Sequence, residues 1–258
     1  MINTHSAFIF GHTINITNFY FGIDEGFDEI LVELNAGAYS LTGFANELGR
    51  ALNEYSVIGN NYLVSLDRTA RKITISADNN FSILTTSSSQ FSLSAYSLAG
   101  FSGADKTGAN SYTGDDASGS IYNTQYKLQK YVDFEDQQGK QSAIVNIPAS
   151  GRFKEQVSYG ALKIMECELK YICDYALGKG SVIRENLNGV ADARNFLLYL
   201  ITGAPIEFCQ DENDLSVFKK CIIEKTPDDS KGTKFKLKED RQYRNTFSTG
   251  VLKFREIP

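Results

Sequence analysis

Only two stretches of this 258-residue chain repeat their apolar residues at helical spacing. In YSLTGFANELGRALNEY, residues Leu41, Phe44, Ala45, Leu48, Ala51 and Leu52 recur every three or four positions, and Ser40 or Thr42 can cap the first turn. In NGVADARNFLLYLITGAP, the stripe is Val190, Ala193, Leu197, Leu200 and Ile201, with Asn188 as N-cap, Gly203 just past the end and Pro205 beyond. Most of the rest alternates. A chain built this way folds around sheets with single helices laid over them.

The first half shows the order directly. FDEILVELNAG ends in a strand with Ile30, Val32 and Leu34 on one face, and Ala36-Gly37 turns it into the first helix. After the helix, NYLVSLDRTARKITISADNNFSIL predicts strands Tyr62–Asp67 and Lys72–Ala77 around the polar turn Asp67–Arg71, then a short strand Phe81–Leu84. The stretch YSLAGFSGADKTGANSYTGDDASGSIY, Tyr96 to Tyr122, reads as successive turns built by Asp, Asn and Gly, pinned to the domain by Phe101, Tyr112 and Tyr122.

Around Gln125 the composition shifts from Gly/Ser/Thr-rich to longer, charged and β-branched segments. This sets a boundary near Asn123, with an N-terminal module over 1–123 and a C-terminal module over 124–258. In ALKIMECELKYICDYAL, Leu162, Ile164, Glu166 and Glu168 share one strand face while Met165, Cys167, Leu169 and Tyr171 share the other. PIEFCQD, VFKKCIIEK, TKFKLKED and TGVLKFREI add four strands separated by turns such as TPDDSKG. The expected fold class is β-rich α+β. The C-terminal module is expected to be a β-barrel or sandwich with one flanking helix, with Leu197, Leu200 and Ile201 inward, and the N-terminal module a sheet and helix. No internal repeat is evident.

Catalytic chemistry finds little to stand on. A Ser-His-Asp or Cys-His site needs a well-placed histidine, and the chain has only His5 and His12, both in the first strands. Carboxylate pairs for glycoside hydrolysis are available at Asp24–Glu29 and Asp133–Asp136, but 31 acidic residues generate such pairs by chance, and there is no Trp to line a sugar cleft. Lys106-Thr107 lacks the upstream glycine of a phosphate loop, and no helix follows. Asp105, Asn110, Asp115 and Asp116 are hard oxygen ligands, yet their spacing fits neither known calcium loop, so the loop is expected to be metal-free. Catalytic, cofactor-binding and metal residues are therefore all expected to be absent, and no cofactor is expected.

A net charge of −5 argues against a dedicated nucleic-acid binder. Lys219-Lys220 and the mixed run Lys231–Arg244 read as solvated strand faces. Cys167, Cys173, Cys209 and Cys221 form no CxxC and have no nearby His, so a zinc site is not expected. Cys167 and Cys173 share a parity that turns both toward a core as reduced thiols. The N-terminus lacks a basic n-region and a long apolar run, so no signal or membrane segment is expected.

Two sets of runs carry a resemblance. LNAGAYSLTGFANELGRALNEY, YLVSLDRTARKITISADNNFSIL and LAGFSGADKTGANSYTG resemble a module of tailed-bacteriophage structural proteins. GRFKEQVSYGALKIMECELKYICD, NLNGVADARNFLLYLITGAPIEF, CIIEKTPDDSKGTKFKLKED and FSTGVLKFREI look like the companion half, similar to the barrel of tail-tube and distal-tail proteins. The resemblance implies a non-enzymatic virion protein, assembled in the host cytoplasm. It implies a distal tail or baseplate protein forming a homo-oligomeric, hexameric ring and linking the tail tube to the tail hub or tip, with no sequence-specific nucleic-acid recognition and no membrane. Head-decoration or neck placement, or a glycan-binding host-recognition module using Tyr and Phe, are the alternatives.

Overall fold

The computed structural model of the chain describes residues 6–124, 133–137, 142–146, 154–158, 162–169, 172, 189–223, 238–239, 247–249 and 251–257. Its strands and helices in order are β1 (Ala7–Phe10), β2 (His12–Ile14), β3 (Tyr20–Asp24), β4 (Glu29–Glu33), β5 (Gly37–Tyr39), α1 (Leu41–Tyr55), β6 (Leu63–Asp67), β7 (Lys72–Ile83), β8 (Lys106–Thr113) and β9 (Ser120–Asn123). There follow β10 (Asp133–Gln137), β11 (Ser142–Asn146), β12 (Lys154–Ser158), β13 (Leu162–Glu168), α2 (Val190–Ile201), β14 (Ile206–Cys209), β15 (Phe218–Ile223), β16 (Lys238–Glu239), β17 (Phe247–Ser248) and β18 (Val251–Glu256). The chain is β-rich with two helices, an α+β arrangement.

A five-stranded sheet holds β4, β3, β7 and β6 in that order, with β8 on the other side of β7. Helix α1 packs on it. Ser40 Oγ accepts the Gly43 N–H at 3.1 Å and starts the helix, and Leu41, Phe44, Ala45, Leu48, Ala51 and Leu52 are buried as their spacing predicts. Each buried Leu or Phe among them contributes roughly 1.5–3 kcal/mol. Ile14, Phe21, Ile23, Val32, Ile73 and Ile75 meet them from the strands.

Two features of this sheet differ from expectation. The segments Lys72–Ala77 and Phe81–Leu84 form one strand, β7, whose pairing with β8 shifts register between Ser76 and Phe81 around the exposed Asp78, Asn79 and Asn80. A polar run inside a strand reads as a turn unless a partner strand carries the chain across it. That partner is β8, which lies in the stretch expected to be turns only. KTGANSYT has no apolar alternation because its strand is mostly solvent-facing, and its side-chain pairs are hydroxyls: Thr74 with Thr113 and Ser76 with Ser111, each at 2.8 Å.

The second sheet has seven strands in the order β10-β13-β18-β15-β14-β1-β9, antiparallel at every step. Among the described residues it is an open sheet, with no pairing that joins β10 to β9, so the barrel of the expected barrel or sandwich is not closed there. Alternation marks which residues face the core, whereas closure depends on twist and stagger, which alternation does not encode. Helix α2 covers one face. Ala193, Phe196, Leu197 and Leu200 are buried there, and Phe196 stacks on Tyr122 at 5.1 Å between centroids. Ile201, expected inward, is 42% exposed, and Phe196 takes the inward position instead. Gly203 ends the helix at φ +77, as expected. The helix starts at Gly189, whose N–H is accepted by the Asp192 carboxylate at 2.9 Å. Asn188 lies outside the described residues.

The strand order carries a further consequence. Strands β1 and β9 fall before the expected boundary at 123, yet they pair with each other and β1 also pairs with β14 in the C-terminal sheet. Residues 11–119 therefore form one long excursion between two adjacent antiparallel strands. The N-terminal module enters and leaves the second sheet side by side.

Candidate functional site

The two modules meet where that excursion begins and ends. Gly11 leaves β1 so close to the Tyr39 carbonyl and the Ser40-Leu41 backbone that any Cβ would collide with main chain. Gly119 returns to β9 at φ +68, with the Phe10 carbonyl 2.8 Å from where a Cβ would stand. His12 joins the two passages. Its Nε2 accepts the Gly119 N–H at 3.0 Å and lies 3.0 Å from Ser118 Oγ, and its ring packs edge-on against Phe44. An accepting Nε2 fixes the neutral tautomer with the proton on Nδ1. Burial drives the imidazole pKa down to about 4, only partly countered by a Leu98 backbone hydrogen bond.

The junction core contains a buried ion pair. Glu207 on β14 is fully buried. Its Oε1 accepts the Thr42 N–H at the start of α1 at 2.8 Å, and its Oε2 is 2.6 Å from Arg68 Nη1, just past β6. That second contact is electrostatic rather than a directed hydrogen bond, because Glu207 Oε2 and Arg68 Nη2 have no aligned partner. Arg68 also donates from Nε to the Leu215 carbonyl at 2.6 Å and from Nη1 to Thr42 Oγ1 at 2.8 Å, and lies 3.7 Å from the Phe218 ring centroid. Ala7, Ile9, Leu41, Cys209 and Leu215 form the apolar cluster around the pair. Tyr199 of α2 adds a tie from the other direction, donating to the Tyr39 carbonyl at 2.9 Å. The helix N-terminus and the guanidinium together offset the cost of burying a carboxylate.

A second buried glutamate organises the far end of the N-terminal module. Glu25 accepts from Ser56 Oγ, the Val57 and Ile58 amides, Asn60 Nδ2 and Tyr62 OH at 2.8–3.2 Å. Burial pushes its pKa up, but these donors more than offset that and hold it below the usual carboxylate range.

Several of the residues singled out by the sequence are held by hydrogen bonds within the fold. Within Asp24–Glu29, Asp24 caps its own turn through the Gly26 and Phe27 amides, Glu25 is held as above, and Glu29 accepts the Ser89 N–H. Burial raises the Glu29 pKa and the Ser88 and Ser89 hydrogen bonds lower it, leaving it below the ordinary value. Neither Glu25 nor Glu29 therefore has the raised pKa of a general acid. Asp133–Asp136 lie on β10, their side chains outside the described residues, as does His5. Asp105 accepts from the Thr86 and Ser87 amides, and Asp115 pairs with Lys106 at 2.9 Å and accepts the Ser102 N–H. Asn110 stands on β8, where it is exposed. Among the described residues no group of three or more His, Cys, Asp or Glu side chains is arranged to hold a metal ion.

Cys167, Cys209 and Cys221 are buried free thiols, and burial pushes Cys209 up to about 11 and Cys221 up to about 12. Cys173 and most of Lys231–Arg244 lie outside the described residues. Lys219 is on β15, 3.9 Å from Glu256. No helix among the described residues is long and apolar enough to cross a membrane.

What the sequence reading missed are Glu207 and the structural use of Glu25, which it had weighed only as a catalytic carboxylate. Glu207 sits between Ile206 and Phe208 and so reads as the wet side of its strand, but α1 covers that side. Only the glycines at 11 and 119, flanking strands, signalled a close backbone approach. Compared with known protein families and with curated proteins, the chain matches none. The arrangement joins two sheets across a buried pair and leaves edges at β8 and β10 with no further strand beside them among the described residues.

Proposed function

We propose that the chain is a non-enzymatic structural protein of a tailed-phage virion, a distal tail or baseplate ring subunit linking the tail tube to the tail tip. The observation that carries this reading is the pair of antiparallel sheets held as one unit across the Arg68–Glu207 junction, with edges at β8 and β10 that meet no further strand among the described residues. An exposed edge is a template for pairing with another chain, since main-chain hydrogen bonds supply strength and alternating side chains fix register. Of the candidate carboxylates, Asp24, Glu25, Glu29, Asp105 and Asp115 are taken up by internal hydrogen bonds, as is His12, which fits a scaffold. The phage-like runs supply the particle. On this reading the finer resemblance to tail-tube proteins lies in the seven-stranded sheet and α2.

Native mass spectrometry of the purified chain at micromolar concentration tests the ring. A closed homo-oligomer, hexameric as the resemblance implies, is expected. A monomer throughout contradicts the ring reading.

A further inference from the structure

The chain passes between its two sheets twice, and the return passage is gripped from two sides. Gly119, the last residue before β9, has each of its backbone groups taken by a basic side chain. Its N–H donates to His12 Nε2 and its carbonyl accepts from Arg71 Nη1, each at 3.0 Å. His12 opens β2, directly after the outgoing passage at Gly11, and stands opposite Tyr39 of β5. Arg71 is the last residue of the β6–β7 turn, at φ +54, and its own carbonyl accepts the Ser118 N–H at 2.7 Å. The return passage is thus fixed by two elements of the module it is leaving.

Ser118 is a second partner for the same ring nitrogen. Its Oγ lies 3.0 Å from His12 Nε2 and donates to the Leu98 carbonyl at 2.6 Å. A hydroxyl has one hydrogen, so with that hydrogen on Leu98 the Ser118 oxygen offers the imidazole only lone pairs. Nε2 of the neutral ring also offers a lone pair, and Gly119 takes it. Nε2 and Ser118 Oγ are then two acceptors at hydrogen-bond distance with no hydrogen between them. A proton on Nε2 reverses both relations. It meets the Gly119 N–H donor to donor, and it gives Ser118 Oγ a donor to accept.

The charged groups on the surrounding elements are engaged elsewhere or exposed to water. On the return passage Asp115 is bound to Lys106, and Asp116 is exposed. At the β6–β7 turn Asp67 accepts the Thr69 and Ala70 amides, Arg71 is on the Gly119 carbonyl and Lys72 on that of Asp115. On α1, whose Phe44 lies against the ring, Glu47 is bound to Arg50 and the Asn35 amide. On β14 Glu207 is bound to Arg68 and the Thr42 amide. From β5 comes only the Tyr39 phenol, bonded to the Asn35 carbonyl. Burial, countered only by the Leu98 carbonyl, therefore holds the imidazole pKa down at about 4.

We infer that His12 is a proton-operated switch at the root of the N-terminal module: uncharged, it holds the Gly119 amide, and protonated, it turns to the Ser118 hydroxyl and lets that amide go. The Gly119 carbonyl stays on Arg71 and the Arg68–Glu207 pair is untouched, so the passage is loosened and not detached. The switch acts within one chain and does not depend on the ring reading.

The test is amide exchange of the full chain followed by NMR, with circular dichroism confirming the fold at each pH. Relative to its intrinsic rate, exchange at Gly119 is expected to rise about tenfold from pH 6.5 to 5.5, because the protonated fraction of a group with a lower pKa rises tenfold per pH unit. Throughout, it is expected to stay at least about tenfold faster than at Phe8 and Ile75, inside the two cores, since the release is local. His12→Gln keeps an acceptor near the Nε2 position but takes no proton, and should abolish the rise. Ser118→Ala removes the second partner and should reduce it severalfold. A Gly119 amide that exchanges no faster than Phe8 and Ile75, or a rise that survives His12→Gln or is unchanged in Ser118→Ala, would overturn the inference.

Discussion

The two ends of the N-terminal module are each built on a buried glutamate, and the two glutamates do different things. At the tip, Glu25 is satisfied by five neutral donors from one loop, so its effect is local: it stiffens residues 56–60 against the β3–β4 turn. At the junction, Glu207 reaches across sequence to Thr42 and Arg68, and its effect is to set one module on the other. A buried carboxylate answered by amides and hydroxyls shapes a surface. One answered by a guanidinium and a helix N-terminus joins two bodies.

The comparison is broken most severely at Arg68. Arg68→Ala leaves the Glu207 carboxylate buried with only the Thr42 amide, and is expected to cost about 3–5 kcal/mol in a denaturant melt. The double variant Arg68→Leu/Glu207→Leu removes both charges and is expected to recover most of that loss. If both variants lose equally, the junction is held by packing and not by the pair.

Lowering the pH acts next, through His12 between the passages. Its folded pKa of about 4 lies below the unfolded value of 6.5, so above pH 6.5 its contribution to stability is complete. As the pH falls from 6.5 toward 4 the unfolded chain takes up a proton that the folded one refuses, and stability drops by about 3 kcal/mol in the limit. Above about pH 5.5 the histidine slope stands apart, because Glu25, Glu29 and Glu47, all held below their ordinary value of 4.5, lose their contribution only as the unfolded chain protonates around that value and below. Melts from pH 7 to about 5.5 check this, and a His12→Asn protein should lose the slope.

The smallest effect is expected at the tip. Glu25→Gln keeps the shape but converts an acceptor oxygen into a donor, leaving some of the five donors unanswered, at a cost of roughly 1–3 kcal/mol. The decisive readout is local: amide exchange at Val57 and Ile58 should accelerate while that of Thr42, bonded to Glu207, stays slow. Equal acceleration at both ends would erase the distinction between the two glutamates.

How much of this was legible in the sequence follows from the same physics. Helix α1 declared itself because Ser40 and six apolar positions all speak for one helix with one wet face. Helix α2 was placed correctly but rotated, since its apolar residues run nearly all round and spacing alone does not choose between Phe196 and Ile201. Strand β8 was invisible because its partners are hydroxyls, and β7 looked divided because Asp78 to Asn80 are polar. The open sheet and the insertion between β1 and β9 depend on pairings more than a hundred residues apart, such as Phe8 with both Tyr122 and Phe208. Local patterns do not carry such pairings. The junction was hidden for a related reason: a charged residue at an outward strand position is read as solvated until the element that covers it is known.

The proposed place of the chain as a structural part of a virion is tested directly on particles. Gradient-purified virions from a lysate of cells carrying the encoding genome can be analysed by mass spectrometry, with antibody-labelled electron microscopy against the chain. Stoichiometric copies in the particle and label confined to the distal end of the tail are expected. Particles that contain no copy would contradict it.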